Sequence, residues 1–194
     1  MDSVEAAMIR NDKPGSGRSW LMAMLLVGAA SIGFALWLKQ SMEPARSSSP
    51  RIGTPFPALE VEGWLNGPGP TADELAGKVI VVDAWAHWCM PCRMAAPGLI
   101  ELERKYRDRG VVFLGLTSDG KESLALNQKF LAETRVPWPN GYGADQPLNI
   151  LESDSIPRVW VVGRDGRVVD EIIGFDPSHE AVRSGIERAL AAQP

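Results

Sequence analysis

The stretch WAHWCMPCRMAAP, residues 85–97, contains both cysteines of the 194-residue chain, separated by two residues. Such a pair can be half of a metal site, a structural disulfide or a redox couple. A closed zinc site needs four ligands, and besides the cysteines the chain has only two histidines, His87 and His179. A structural disulfide that closes so short a loop stabilises a fold by only about 2 kcal/mol. The spacing therefore favours a redox couple, with zinc and a structural disulfide left as alternatives.

The residues on either side of the pair predict a strand that leads into a helix. Upstream, KVIVVDAWA at residues 78–86 is a β-branched run typical of a strand buried on both faces. Downstream, Leu99, Leu102 and Tyr106 recur at helical spacing, and Pro91 suits a first helical turn. The pair thus falls at a helix N-terminus, where amide dipoles stabilise a thiolate and make one exposed thiol reactive.

The rest of the domain continues this alternation of strands and helices. VVFLGLTS, residues 111–118, predicts a second buried strand, and residues 121–134 predict an amphipathic helix. The first strand, the helix after the cysteines and this second strand form a βαβ unit, whose crossover is nearly always right-handed. Residues 158–162 and 167–173, joined by the turn GRDG, predict a β-hairpin. Asp176-Pro177 then predicts the start of a last helix.

The segment 135–157 is rich in proline and glycine, but a structureless loop of that length is unusual in a compact domain. We therefore predict a short helix in QPLNILES, residues 146–153. Trp138 and Tyr142 are interpreted as residues that pack the loop, with a substrate-facing surface as the alternative. His179 is interpreted as a surface residue at a helix N-terminus rather than a ligand.

These motifs resemble those of a known family. VVDAWAHWCMPCRMAAP is similar to the active-site segment of thioredoxin-fold proteins, and IGTPFPALEVEGWLNG with ELAGKVIVVDAWA is similar to the lead-in of their extracytoplasmic TlpA/ResA-type branch. SIPRVWVVGRDGRVVDEIIG resembles the family's cis-proline loop and following hairpin. The resemblance covers residues 52–194. It implies an α/β thioredoxin-like fold, with a central mixed β-sheet flanked by helices, and an enzyme that reduces or exchanges protein disulfides.

The expected reaction is a two-step dithiol exchange. Because Cys89 lies at the predicted helix start and Cys92 is shielded one turn deeper, we expect Cys89 to attack first and Cys92 to resolve the mixed disulfide. The redox-active disulfide is then Cys89–Cys92. The resemblance implies that Trp88, Ile156 and Pro157 contact the substrate, with Pro157 in the cis form and Ile156 pairing its backbone with an extended segment. The reaction needs no metal and no organic cofactor.

Asp83 lies six residues before the first cysteine, on the predicted buried strand. It matches the buried aspartate of thioredoxins at a place where many TlpA/ResA-type proteins carry Asn, and Ala95 replaces the Glu that they carry after the second cysteine. Burial raises the pKa of a carboxyl group, so we predict that Asp83 accepts the proton of Cys92. A purely stabilising role is the alternative. His87 and Met90 are also unusual at their positions, and their effect on the redox potential stays open.

The N-terminal part of the sequence predicts a membrane anchor. Residues 20–38, WLMAMLLVGAASIGFALWL, contain no charge, and as a helix they would extend about 28 Å, close to the thickness of the bilayer's hydrocarbon core. We predict a short N-terminal tail at 1–19, a transmembrane signal anchor at 20–38, a flexible linker at 39–50 and a thioredoxin-like domain at 51–194. A cleaved signal peptide and, less favoured, a buried core helix are the alternatives.

Lys and Arg residues are balanced on the two sides of the predicted span, so the positive-inside rule does not orient it. The resemblance and the short tail favour a single pass through the cell (inner) membrane, with the C-terminal domain on the periplasmic, extracytoplasmic side. The expected partners there are disulfide-containing proteins and a membrane electron donor that re-reduces the cysteines. Cytochrome c maturation is one process in which we expect such an enzyme to act.

Charge argues against nucleic-acid binding. The first fifty residues hold five of the 20 Lys and Arg residues and four of the 24 Asp and Glu residues, so 15 basic and 20 acidic residues remain for the domain. Two other functions stay open. A peroxiredoxin-type thiol peroxidase shares the lead-in segment, although Ala86 stands where such enzymes carry Thr. A non-enzymatic binding or chaperone module would keep the fold while its cysteines stay idle.

Overall fold

A mixed β-sheet forms the centre of the computed structural model, which describes residues 51–192. Within those residues the strands are β1 (Gly63–Leu65), β2 (Val79–Ala84), β3 (Val111–Thr117), β4 (Asn140–Tyr142), β5 (Arg158–Val162) and β6 (Val168–Ile173). Their order across the sheet is β1-β4-β3-β2-β5-β6. The strands β2, β3 and β4 run parallel to one another, whereas β1, β5 and β6 pair antiparallel with their neighbours.

The helices alternate with the strands along the chain. They are α1 (Ala72–Leu75), α2 (Met90–Tyr106), α3 (Leu124–Thr134), α4 (Asp145–Ile150) and α5 (Glu180–Ala191), with 3₁₀ turns at Arg107–Arg109 and Lys121–Ser123. The predicted βαβ unit is confirmed as β2, α2 and β3, and the predicted hairpin as β5 and β6. The short helix expected in QPLNILES is confirmed as α4. The expected mixed sheet flanked by helices is therefore present.

The buried strand β2 separates two core layers. Because side chains alternate along a strand, Val79 and Val81 face one layer, which also contains both cysteines and the buried sides of α2, α3 and α5. We call this the cysteine layer. Ile80 and Val82 face a second layer, which contains Leu148 of α4 and packs against residues of the segment that precedes β2. Every residue of β2 is buried, as its β-branched sequence predicted.

Two predicted helix boundaries were wrong. The segment 121–134 begins as a 3₁₀ turn, and its α-helix starts only at Leu124. The last helix starts at Glu180 rather than at Asp176. The carboxylate of Asp176 accepts hydrogen bonds from Ser178, and His179 has a left-handed backbone with φ of 50°, so the residues before Glu180 form a turn.

His179 is half-buried rather than a simple surface residue. Its Nε2 lies 3.0 Å from the carbonyl oxygen of Ala95, and a Cβ at Gly98 would overlap its imidazole ring. A residue of the α5 N-terminus therefore packs against α2, the helix that carries the cysteines. Gly98 provides the space for this contact.

Two short strands had no clear signal in the sequence. β1 and β4 have three residues each and pair with one another, within stretches of the chain that are rich in glycine and proline. Trp138, expected to pack the loop, is buried against Phe113, with ring centroids 5.3 Å apart. Tyr142 lies in β4 rather than in a loop.

The predicted tail, membrane anchor and linker lie outside the described residues. Among residues 51–192, no helix is both long and apolar enough to cross a membrane.

Candidate active site

The two cysteines lie where strand β2 passes into helix α2. After β2 the chain makes a turn in which the amide of Cys89 donates to the carbonyl oxygen of Ala86 at 3.0 Å. Cys89 is then the N-cap of α2, and its Sγ accepts a hydrogen bond from the amide of Cys92 at 3.1 Å. The two residues form a disulfide with their Cα atoms 5.3 Å apart. In the reduced protein the same amide and the helix dipole stabilise negative charge on the Cys89 sulfur.

Burial does not distinguish the two cysteines in this disulfide state. Each is only 3% exposed, so the expected shielding of Cys92 is confirmed, whereas the expected exposure of Cys89 was wrong. What separates them is position, because only the sulfur of Cys89 occupies the N-cap of the helix. The exposed side chains are instead those of the residues that flank Cys89 in the sequence.

Large apolar side chains are exposed around the cysteine pair. Trp88 is 68% exposed, Met90 63% and Met94 55%, all at or just before the first turns of α2. Apolar side chains this exposed and this close together in the chain are typical of a surface that contacts a partner. Met side chains adapt to different partner shapes because they are flexible and polarisable.

The loop before β5 lies at the same end of the sheet as the cysteines. In the antiparallel pairing of β2 with β5, Ala84 lies opposite Arg158. The chain that leaves β2 and the chain that enters β5 therefore meet at one end. The predicted cis bond between Ile156 and Pro157 is confirmed. The carbonyl oxygen of Pro157 accepts a hydrogen bond from the amide of Gly174 at 2.8 Å, which ties this loop to the end of β6.

A buried arginine that we did not identify from the sequence holds this loop. Arg158 is 6% exposed and directly follows the cis bond. Its guanidinium donates to the carbonyl oxygen of Glu152 at 2.7 Å, to Glu171 Oε1 at 3.1 Å, to Ser155 Oγ at 3.1 Å and to Asp154 Oδ1. The signal was present, because a charged residue begins an otherwise apolar strand, RVWVV. Buried arginines are rare unless their charge is paired.

Asp83 is buried on the side of the sheet that faces the cysteines. Its neighbours at alternate positions, Val81 and Trp85, both belong to the cysteine layer. The carboxyl group is 7% exposed, and among the described residues its Oδ1 has no hydrogen-bond partner. Burial raises the pKa of Asp83 to about 7. This carboxyl group can therefore take up or release a proton near neutral pH, as the proposed proton acceptor must.

The tryptophan before the cysteine turn is fixed from two sides. The ring of Trp85 stacks on Phe130 of α3, with centroids 4.5 Å apart and planes within 8° of parallel. Its Nε1 donates to Asn140 Oδ1 at 2.9 Å. A Cβ at Gly115 would collide with that oxygen, so only glycine leaves room for the contact. Strand β4, which the sequence did not predict, thus helps to position the cysteine turn.

His87 and Asp119 form a second contact to the cysteine turn. Asp119 Oδ2 lies 2.8 Å from His87 Nδ1 and accepts from the His87 amide at 3.3 Å. Asp119 follows β3, and its carbonyl oxygen accepts from the amide of Gly143. The role of His87 was open in the sequence, and Asp119 was missed because its partner lies 32 residues away. Among residues 51–192, no three His, Cys, Asp or Glu side chains are grouped as metal ligands.

Known proteins with similar sequences carry out thiol chemistry. The Redoxin family profile matches residues 52–190. The thiol:disulfide interchange protein HelX of Rhodobacter capsulatus is 32% identical over 155 residues, which cover 77% of this chain and 84% of HelX. The thiol-disulfide oxidoreductase ResA of Bacillus cereus is 28% identical over 154 residues, covering 78% of this chain and 84% of ResA.

A solved structure with a similar sequence also has a similar fold. A crystal structure described as a thiol:disulfide interchange protein DsbE from Chlorobium tepidum has a TM-score of 0.64 and 27% identity, covering 74% of this chain and all of that one. The described domain is therefore thioredoxin-like. Since the family match spans most of the sequence and HelX is covered over more than two thirds of its length, the chain belongs to the Redoxin family.

Proposed function

We propose that the chain is a thiol:disulfide oxidoreductase that reduces disulfide bonds of extracytoplasmic proteins from a membrane anchor. The observation that carries this proposal is the Cys89–Cys92 disulfide at the start of a 17-residue helix, with the Cys89 sulfur bonded to a helix amide. That arrangement suits a sulfur that alternates between thiolate and disulfide. The names of the relatives HelX and ResA support the same chemistry.

The first step is attack on the substrate. The thiolate of Cys89 attacks one sulfur of a substrate disulfide, and the other substrate sulfur leaves as a thiolate that water or a buffer acid protonates. A mixed disulfide now joins Cys89 to the substrate. Only Cys89 accepts a hydrogen bond at the helix N-cap position, so its thiolate is the better stabilised of the two at that position.

The second step releases the substrate. Asp83 accepts the proton of the Cys92 thiol, directly or through one water, and the resulting thiolate attacks the Cys89 sulfur. The mixed disulfide breaks, the second substrate sulfur leaves as a thiolate, and the Cys89–Cys92 disulfide forms. Support for this role of Asp83 comes from its burial on the cysteine side of the sheet and from a pKa of about 7. Two electrons have passed from the enzyme to the substrate.

Substrate contact is assigned to the surface around the cysteine pair. Trp88 offers an exposed ring beside Cys89. Ile156 and Pro157 belong to the loop that enters β5 at the end of the sheet where the cysteines lie. By the family resemblance, the backbone of Ile156 pairs with an extended substrate segment, and the exposed methionines accommodate different apolar side chains.

The anchor and the location are part of the proposal. Residues 20–38 are uncharged and long enough to span a bilayer as a helix. In an oxidising compartment the disulfide that each turnover leaves must be reduced again, so the enzyme depends on a membrane electron donor. The chemistry needs only the two cysteines and a proton acceptor, without a metal or an organic cofactor.

Reduction of insulin disulfides tests the proposal directly. The full chain in detergent, reduced with dithiothreitol, is expected to precipitate the insulin B chain, and Cys89→Ser is expected to act no faster than the buffer. Equal rates for both proteins would support a binding or chaperone module instead. Consumption of hydrogen peroxide faster than reduction of insulin would identify a peroxidase.

A further inference from the structure

The residues between β6 and α5 contact both walls of the proposed substrate site. One wall is the first turns of α2, which carry the cysteines. The other is the cis-proline loop, residues 152–157, which contains the cis bond. We call residues 174–179 the bridging turn, because a segment that contacts both walls can set the distance between them.

At its first residue the bridging turn is tied to the cis-proline loop. The amide of Gly174 donates to the carbonyl oxygen of Pro157 at 2.8 Å. Phe175 follows and packs, half-buried, against the cysteine layer, and Ile156 of the loop packs against the same layer. The start of the turn and the loop are therefore joined by a backbone hydrogen bond and by a shared apolar layer.

At its last residue the bridging turn is tied to the cysteine helix. His179 Nε2 lies 3.0 Å from the carbonyl oxygen of Ala95, and because a carbonyl oxygen only accepts, the imidazole is the donor. Ala95 is buried and follows Cys92 by three residues, which is about one helical turn. A Cβ at Gly98 would lie 2.2 Å from Cε1 of the imidazole, so only glycine leaves room for this contact.

The bridging turn is closed by its own hydrogen bonds. The carboxylate of Asp176 accepts from the Ser178 hydroxyl at 2.8 Å and from the Ser178 amide at 2.9 Å, and these bonds hold the pKa of Asp176 below its ordinary value. The Ser178 hydroxyl oxygen accepts from the amide of Glu180 at 3.2 Å. The ring of Phe175 meets that of His179 edge-on, with centroids 6.0 Å apart. Such a network makes the turn rigid, so a shift at one end moves the other.

His179 holds a backbone conformation that favours glycine. Its φ is 50°, in the left-handed region, which glycine adopts more readily than a residue with a Cβ. Strain of this kind persists only where surrounding contacts offset it. The contacts of the imidazole with Ala95 and Phe175 provide that offset. The imidazole is therefore the part of the turn that links it to the cysteine helix.

We propose that His179 is a positioning residue for disulfide exchange, which fixes the spacing between the cysteine helix and the cis-proline loop through the bridging turn. The inference rests on the proposed function, in which a protein substrate bonds to the Cys89 sulfur while its extended backbone pairs with Ile156. Both contacts form together only at one spacing, so a loosened turn weakens the binding of a protein disulfide. A small disulfide that contacts only Cys89 does not depend on that spacing.

The test compares insulin with a small aromatic disulfide, dithiobis(nitrobenzoate), on the full chain in detergent micelles. His179→Phe keeps a ring but removes the donor, and Gly98→Ala places a Cβ where the imidazole lies. Each variant should raise KM for insulin about threefold to tenfold, the factor that corresponds to one hydrogen bond, with kcat near wild type. The rate at which the small disulfide releases thionitrobenzoate should change less than about twofold.

Two further variants separate the hydrogen bond from the fold. His179→Gln keeps an N–H donor of similar reach and should hold KM for insulin within about twofold of wild type. Arg183→Gln changes an exposed residue of α5 that pairs with Glu180, and should leave KM unchanged. Urea denaturation of each variant shows that the domain is folded under the conditions of the assay.

Three results would overturn the proposal. These are an unchanged KM in both His179→Phe and Gly98→Ala, an equal fall in the rates with insulin and with the small disulfide, and an equal rise of KM in Arg183→Gln. A wild-type chain that reduces the small disulfide but not insulin would overturn the proposed function, and the assigned spacing with it. Insulin reduction by wild type with unaffected variants rejects the role of the bridging turn alone.

Discussion

The cysteine turn and the cis-proline loop meet at one end of the sheet, but they are held there by different forces. The cysteine turn, residues 85–89, is the direct continuation of a fully buried apolar strand into a helix. The cis-proline loop, residues 152–157, is held by the buried guanidinium of Arg158. The first arrangement depends chiefly on hydrophobic burial, to which the Trp85–Asn140 and His87–Asp119 contacts are added. Hydrophobic burial tolerates many apolar sequences of suitable volume. The second depends on a charged group that is costly to bury unless each partner is in place.

This difference explains why the two reactive cysteines were easier to predict from the sequence than Arg158, which holds the cis-proline loop. A β-branched run followed by helical spacing is a local pattern, visible within about thirty residues. The partner of Arg158 on β6, Glu171, is only 3% exposed at its side chain, and its identity depends on how β5 and β6 pair. Each of the following predictions tests one side of the comparison.

The largest expected effect is on the cysteine turn. Cys92→Ser should accumulate mixed disulfides between Cys89 and protein substrates, because the resolving thiol is missing. Cys89→Ser should trap almost no substrate, and both variants should lose multiple-turnover insulin reduction. Non-reducing electrophoresis followed by mass spectrometry of the trapped species measures this. Trapping by Cys89→Ser but not by Cys92→Ser would reverse the assigned order of attack.

The next largest effect is expected at the cis-proline loop. Arg158→Met should lower the free energy of unfolding by about 3–5 kcal/mol, because it leaves the buried carboxylate of Glu171 without this cation. Urea denaturation measures the change. In the folded fraction of this variant, KM for a protein disulfide should rise more than kcat falls, since in the proposed function the loop contacts the substrate but takes no part in the exchange of sulfur–sulfur bonds.

Arg167→Met is the matched control for this prediction. Arg167 belongs to the same hairpin, is exposed, and donates through its side chain to the carbonyl oxygen of Gly53. Its loss should cost less than about 1 kcal/mol. Equal destabilisation by the two variants would show that Arg158 has no special part in holding the loop.

Asp83→Asn should separate the two chemical steps. Asparagine keeps the shape but cannot accept a proton, so alkylation of Cys89 should stay near the wild-type rate while resolution of the mixed disulfide slows. Stopped-flow turnover measures resolution from about pH 6 to about pH 8. Turnover that matches wild type across this range would reject the proton-acceptor role and leave Asp83 with a stabilising role.

The same variant has a predictable effect on stability. The pKa of Asp83 is about 7 in the folded protein and about 3.9 in an unfolded chain. The stabilisation from binding this proton is complete below about pH 4 and is lost as the pH rises to about 7. Asp83→Asn removes that loss, so the variant should be more stable above neutrality, by about 4 kcal/mol at most. The exposed Asp73→Asn is the control, for which we expect no such pH dependence.

The smallest effect is expected where His87 meets Asp119. Asp119→Ala removes the acceptor of both the His87 amide and the Nδ1 contact. Because both side chains keep some contact with solvent, we expect a loss of about 1 kcal/mol in unfolding free energy. The rate of Cys89 alkylation should change by a few-fold, and the exposed Asp108→Asn should leave it unchanged. A change of more than about tenfold in the rate of Cys89 alkylation would instead make this pair central to the reaction.

Long helices and buried strands were predicted well because their signals repeat along the chain. The strand β2, the helix α2 and the hairpin were all visible as periodic patterns. The strands β1 and β4 were not, because three residues are too few to show a period of two. The late start of α5 was also missed, since it depends on the turn that Asp176, Ser178 and His179 form.

The amino-acid sequence alone determined the class of chemistry and its location on the chain. Two cysteines with the spacing of a redox pair, a buried strand before them and a helix after them were sufficient to predict a thiol active site at a helix N-terminus. The pattern is local, and each part of it follows from burial or from helix geometry. The same holds for Asp83, whose burial followed from its apolar neighbours.

Only the tertiary structure decided which polar groups meet around that site. Trp85 bonds to Asn140 across 55 residues, His87 to Asp119 across 32, and Arg158 to Glu171 across 13. Such contacts are set by strand register and helix packing, which bring together residues that no local pattern connects. A hydrogen bond requires its two atoms to lie about 3 Å apart, so it forms only when the whole fold is in place.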